Sequence, residues 1–194
     1  MVEKLERDGK GLNLTAEVRD GILCHSDKAP WARTLEGRVV RYADKIAYIN
    51  HDIEDAIRGG ILREGDLPWE TKVGLGQTKS QRITTLVTSI IENSGDDIKM
   101  DDETFRLYKT LQDFLFEAVY KDPVAKGEEG KAKKIIGQLY TWFVEHPEKL
   151  PLEYESIREE EGIQRAVVDY IAGMSDRYCI ATFEDIFVPR PWTR

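Results

Sequence analysis

Apolar residues recur at intervals of three and four along most of this chain, while alternating β-branched runs are nearly absent, so the pattern predicts an all-α fold. The opening VEKLERDG carries a helical pattern that is already running, with no capping residue ahead of it. It is expected to be the last turns of a helix beginning before residue 1, in a truncated chain. Thr15 can cap AEVRDGILCH, and Thr34 can cap a long helix from LEGRVV to about Arg58, which Gly59 and Gly60 stop. The loop SDKAPWA lies between them. REGDLPWETKVGLG, residues 63 to 76, has the glycine and proline content of a connection and divides the chain into regions 1–62 and 63–194. TKSQ at 78 to 81 fits a capping box and opens RITTLVTSIIENS. DETFRLYKTLQDFLFEAVYKD follows, stopped at Pro123, then EEGKAKKIIGQLYTWFVEHPEKLP, stopped near Pro147. A helix over about Glu159 to Tyr178, a short one at FEDIFV and a tail PRPWTR complete the pattern. Trp142, Phe143, Tyr170 and Met174 fall at core positions, and the tail is expected to pack against a neighbour.

The long helix carries the chemistry. At about 100° per residue, Ile46, Ile49, Ile53 and Ile57 fall on one side, and Asp44, Tyr48, His51, Asp52 and Asp55 on the other. A solvated polar face is the ordinary meaning of such a pattern. Two details pull against it. Tyr48 stands midway between Asp44 and Asp52, where an exposed helix more often carries Lys, Glu or Gln. The carboxylates eight residues apart also repel, a cost that a cation would relieve.

Composition narrows the function classes. The chain has 194 residues, 33% of them charged, and a net charge of -8. An acidic surface repels a phosphate backbone, so non-specific nucleic-acid binding is not expected. A chain of this length can bury roughly 70% of the surface its unfolded form exposes. No stretch has the character of a secretory signal or a membrane span, and a soluble cytoplasmic protein is expected. Cys24 and Cys179 have no metal-knuckle or disulfide-framework spacing and are expected to be buried small side chains.

The order His25, His51-Asp52, then Asp97 or Asp101 would satisfy the H, HD, D ligand pattern of HD-type phosphohydrolases. Its imidazole and carboxylate donors suit Mn, Fe, Ni, Zn or Mg. With three histidines in the chain, chance can also produce this order. His25 ends a helix, where a histidine meets the terminal carbonyls, and Arg165 and Asp169 stand one turn apart as an ion pair.

Four stretches, LNLTAEVRDGILCHS, TLEGRVVRYADKIAYINHDIEDAIRGGIL, RITTLVTSIIENS and RAVVDYIAGMSDRY, resemble the C-terminal part of bacterial deoxyguanosine triphosphate triphosphohydrolase-like proteins of the HD superfamily. The second is the most specific, matching over consecutive residues that include the polar ones. In that family a histidine, an HD dyad and a final aspartate hold the metal, and the resemblance places the final aspartate at Asp44. His51-Asp52 is then not the name-giving dyad. The resemblance further implies that Lys45 approaches a phosphate, Tyr48 meets the sugar or phosphate, and Asp52 accepts a hydrogen bond from the sugar 3'-hydroxyl. It implies an HD-domain-like helical bundle portion over 1–62, followed by a C-terminal helical region. It also implies a divalent metal cofactor, a deoxynucleoside triphosphate substrate and a homo-oligomer. No catalytic residue is assigned within the chain, which alone is expected to be inactive and not to retain the metal. Two other readings stay open: a non-catalytic helical interaction or regulatory module, and a self-contained HD phosphohydrolase using His25, His51 and Asp52.

Overall fold

Local capping chemistry sets the helices. The structure, a computed structural model, describes residues 2–7, 9–26, 28–121, 123–190 and 192, and at 124–126 the backbone alone. The Thr15 hydroxyl accepts the Val18 N–H and opens α1 (Ala16–Leu23), and the Thr34 hydroxyl accepts the Gly37 N–H and opens α2 (Leu35–Arg58). A short helix, α3 (Trp69–Gly74), follows a single 3-10 turn at Glu64–Asp66. Thr78 and Gln81 close the expected capping box of α4 (Lys79–Asn93), and Asp101 caps α5 (Asp102–Leu115). A π-helical turn, Phe116–Tyr120, continues α5, and α6 (Pro123–Glu145) starts on a proline. Beyond come α7 (Glu155–Glu161), α8 (Ile163–Ala172) and α9 (Asp176–Phe187). The described residues form helices, turns and loops, an all-α fold.

Contacts gather the chain into two units, Thr15–Lys126, and Met1–Leu14 with Gly127–Arg194. In the first unit α2 is the central helix. Its Ile46, Ile49 and Ile53 are buried against Leu86 of α4 and Leu107 and Leu111 of α5. Burying such side chains contributes about 1.5–3 kcal/mol each, which is what seats the helix. Arg82 is a buried charge beside this core. Arg82 Nε donates to the buried Asn50 amide oxygen at 3.1 Å, and Asn50 Nδ2 donates to the Ile46 carbonyl at 2.8 Å, so a guanidinium strut ties α4 to α2. A Cβ on Gly37 would stand 2.6 Å from the Ala32 Cβ, so only glycine lets the loop ahead of α2 lie this closely on the helix. In the second unit Leu139 and Phe143 of α6 pack with Tyr154, Ile157, Val167 and Tyr170.

Several expectations need correction. Residues 2–7 form turns rather than the end of an α-helix, because Arg7, Gly9 and Gly11 take positive φ and turn the backbone back on itself. The helix expected over 159–178 breaks at Gly162, whose φ of 91° lies outside the helical range, and again after Ala172. FEDIFV is then the second half of α9 rather than a separate helix. By contacts the first compact unit runs from Thr15 to Lys126, with α3 packed on α5 inside it. Cys24 is buried as expected and Cys179 is half-buried, both as free thiols. Phe143 and Tyr170 are core residues, Trp142 and Met174 lie at its edge, and Trp192 in the tail is fully exposed. The rest of PRPWTR apart from Pro189 and Arg190 lies outside the described residues.

Candidate functional site

The polar face of α2 does not all face water. A cavity of about 340 Å³ lies between α2 and α5 in the first unit, lined from α2 by Asp44, Lys45, Tyr48 and Asp52. The far wall comes from α5 and the π-helical turn, through Tyr108, Gln112, Phe116 and Tyr120. Asp44, Tyr48 and Asp52 repeat every four residues, so they stand about 6 Å apart per step along the helix axis. Ile49, one residue beyond Tyr48, forms part of the floor and belongs to the core.

Each side chain is placed by a specific neighbour. Tyr120 donates its hydroxyl to Asp52 Oδ2. Burial, and then that bond, push the Tyr120 hydroxyl up to about 12, so it keeps its proton at neutral pH and acts as a donor. Lys45 is half-buried beneath Trp31, its Nζ 5.6 Å from the ring centroid. Trp31 is itself held by Arg41, whose guanidinium lies 4.5 Å from the ring and donates to the Cys24, Ala29 and Pro30 carbonyls. The buried Arg41 thus fixes the loop between α1 and α2, and the loop carries Trp31 to Lys45. His25 places Nδ1 2.7 Å from the Ile22 carbonyl, capping α1 as expected, while the same ring lines the cavity. Tyr48 lines the cavity and is itself 63% exposed.

The structure separates residues that the helical face had grouped together. Asp55 pairs with Arg58 at 3.0 Å, and His51 lies exposed on the flank; neither lines the cavity. The H, HD, D constellation is not assembled. Asp97 receives Arg38 at 2.6 Å, and Asp101 is taken by the Ser89 hydroxyl at 2.6 Å and the Thr104 N–H at 2.9 Å. Arg165 and Asp169 form the expected pair at 3.0 Å. Sequence reasoning missed Gln112, Phe116 and Tyr120, whose one sequence signal is an aromatic pair spaced by four just ahead of Pro123.

A hard divalent ion takes several oxygen or nitrogen ligands. Asp44 can supply one. Among the described residues no three His, Cys, Asp or Glu side chains gather to hold a metal, so the side chains described do not by themselves fit one. A second, more apolar hollow of about 660 Å³ lies between α1 and α2, lined by Val18, Ile22 and Val40, and it shares His25 and Asp44 with the cavity. Asp44 therefore stands where two hollows meet. No helix among the described residues is long and apolar enough to cross a membrane.

Residues 98–185 match the phosphohydrolase-associated domain. The chain is a relative of the deoxyguanosinetriphosphate triphosphohydrolase-like proteins. It is 48% identical to the one from Caldanaerobacter subterraneus subsp. tengcongensis, over 99% of this chain and 57% of that protein. It is 44% identical to the one from Clostridium tetani, over 98% and 58%, and 30% identical to one from Leptospira interrogans, over 95% and 62%. The chain thus spans somewhat more than half the length of the curated relatives it matches, and the domain match is consistent with a C-terminal part of such a protein.

Proposed function

We propose that this chain supplies one wall of the active site of a metal-dependent deoxynucleoside triphosphate triphosphohydrolase, with Asp44 the last of its metal ligands. The observation that carries this reading is the convergence of Asp44, Lys45, Tyr48 and Asp52 on one cavity, while the neighbouring His51 and Asp55 stay outside it. In the reaction water adds to the α-phosphorus, the bond to the 5'-oxygen breaks, and that oxygen takes a proton. The products are deoxynucleoside and tripolyphosphate. A bound metal, with Asp44 as one of its ligands, would polarise phosphate and water. Its other ligands come from the part of the enzyme with which relatives exceed this chain, and residues 1–62 belong with that part as the end of the HD domain.

The roles of the chain's own residues follow from their chemistry. Lys45 neutralises phosphate charge, its stem long enough to swing from beneath Trp31. Tyr48 borders the sugar and phosphates in the cavity. Asp52 accepts the 3'-hydroxyl on the carboxylate oxygen that Tyr120 leaves, and Tyr120 positions Asp52 by its donated hydrogen bond. The spacing of the three α2 residues, about 6 Å per step, suits metal, phosphate and sugar in that order and supports this reading.

The test is to locate Mn in a crystal of an enzyme of the relatives' full length soaked with Mn and dGTP. Metal on the residue equivalent to Asp44, with loss of turnover on its change to alanine, supports the reading. Metal on the equivalent of His51, or retained turnover after alanine substitution at both the Asp44 and Tyr48 positions, would overturn it.

A further inference from the structure

Phe116 is more than half exposed, yet it lines the cavity beside the side chains that meet the ligand. It begins the π-helical turn Phe116–Tyr120, an uncommon geometry that occurs mostly as single turns at functional sites. The wider turn brings Phe116 and Tyr120 into the same hollow, with ring centroids 6.3 Å apart and tilted by 43°. Tyr120 is anchored by its hydroxyl on Asp52, so the aromatic pair starts where the sugar contact is. Lys121 Nζ stands 5.1 Å from the centroid of Phe116, and the residue is nevertheless 53% exposed. An apolar ring left open beside a carboxylate gains from being covered, and a planar aromatic ligand group covers it with the best geometry.

We infer that Phe116 is the stacking platform for the nucleobase of the bound deoxynucleotide. This rests on the function proposed above, because it takes Asp52 as the sugar contact and follows the base from there. A sugar held by its 3'-hydroxyl on Asp52 projects the base from its 1'-carbon, two ring carbons away. Phe116 and Tyr120 lie on the cavity wall across from the α2 face that carries Tyr48 and Asp52, and Tyr120 reaches Asp52 directly. Stacking reads the π-face that all bases share, so this contact raises affinity for every base and favours the larger purine ring over the pyrimidine.

The test uses this chain in solution, titrated with dGMP, dCMP and base-free 2-deoxyribose 5-phosphate, followed by amide chemical shifts. Phe116→Leu is expected to weaken dGMP roughly tenfold or more, to weaken dCMP less, and to leave the base-free sugar phosphate unchanged. Phe116→Trp, which keeps an aromatic face, is expected to retain dGMP binding and so guards against a fold defect in the leucine variant. Equal weakening of dGMP and of the base-free ligand would overturn the inference, as would unchanged dGMP binding. If Asp52→Asn weakens dGMP while Phe116→Leu does not, the stacking role fails and the site stands. If the unaltered chain binds no dGMP, both fail.

Discussion

Asp52 is where the account can be tested most quantitatively. Its Oδ2 accepts the Tyr120 hydroxyl, and Oδ1 is the oxygen assigned to the 3'-hydroxyl of a deoxynucleotide. Asp52→Asn keeps the shape and removes the charge. Tyr120 can donate only to the amide oxygen, so the amide nitrogen turns toward the ligand, and it cannot accept from a hydroxyl. A hydrogen bond to a charged group contributes about 1.5–3 kcal/mol, against about 0.5–1.5 for a neutral pair, so the loss is about 1–1.5 kcal/mol. That corresponds to roughly tenfold weaker binding. Removing a carboxylate also lessens repulsion of the phosphates, an effect common to every nucleotide. The quantity to measure is therefore a ratio, the affinity for dGTP over that for 2',3'-dideoxy-GTP, by titration calorimetry on the chain and its variant. The ratio should fall roughly tenfold in Asp52→Asn, with dideoxy-GTP held as well as before or better. An unchanged ratio would refute the sugar contact even if both ligands bound more weakly.

Other outcomes test the fold that holds the cavity. Asn50→Ala leaves the buried Arg82 guanidinium without its amide acceptor and should cost about 2–4 kcal/mol in urea unfolding; a loss below about 0.5 kcal/mol would contradict the strut. Gly162→Ala has space for its methyl group, with no atom within 4 Å, but not the backbone freedom for a φ of 91°, so it should destabilise by about 1–3 kcal/mol in a thermal melt. The Ser89 hydroxyl, then the Thr104 N–H at the start of α5, hold Asp101 at about 2 against an ordinary 3.8. Because the folded value is depressed, this stabilisation is complete above about pH 4 and is lost as pH falls through about 2. Asp101→Asn should flatten the dependence of stability on pH in that window, and an unchanged slope would count against it.

The sequence disclosed the parts that local chemistry decides. Thr15, Thr34 and Thr78 each sit one residue ahead of a helix, and a hydroxyl at that place accepts an N–H whatever the tertiary surroundings. The division of α2 into an isoleucine stripe and a polar face was equally legible, because both follow from the helical repeat. Which half of the polar face is a cavity wall was not. Asp52 and Asp55 are both polar-face carboxylates, and α5 alone, packed alongside, makes one a site residue and leaves the other to Arg58. Periodicity put Asp44, Tyr48 and Asp52 on that face, and resemblance to a family added Lys45 and separated the four from His51 and Asp55. Tyr120 and Phe116 stayed hidden because the contact with Asp52 spans 68 residues and depends on a π-helical turn that has no sequence rule. Gly162 stayed hidden for a different reason: a glycine inside a helical pattern is tolerated at modest cost, so only its positive φ reveals the break.

The central claim is that the cavity between α2 and α5 is the deoxynucleotide site. Titration of the isotopically labelled chain with dGTP, read residue by residue from amide shifts, tests it most directly. The account predicts saturable shifts concentrated at Asp44 to Asp52 and at Gln112 to Tyr120, with α7, α8 and α9 unmoved. Shifts centred on the second unit, or on Asp97 and Asp101, or no saturable shift at all, would contradict it.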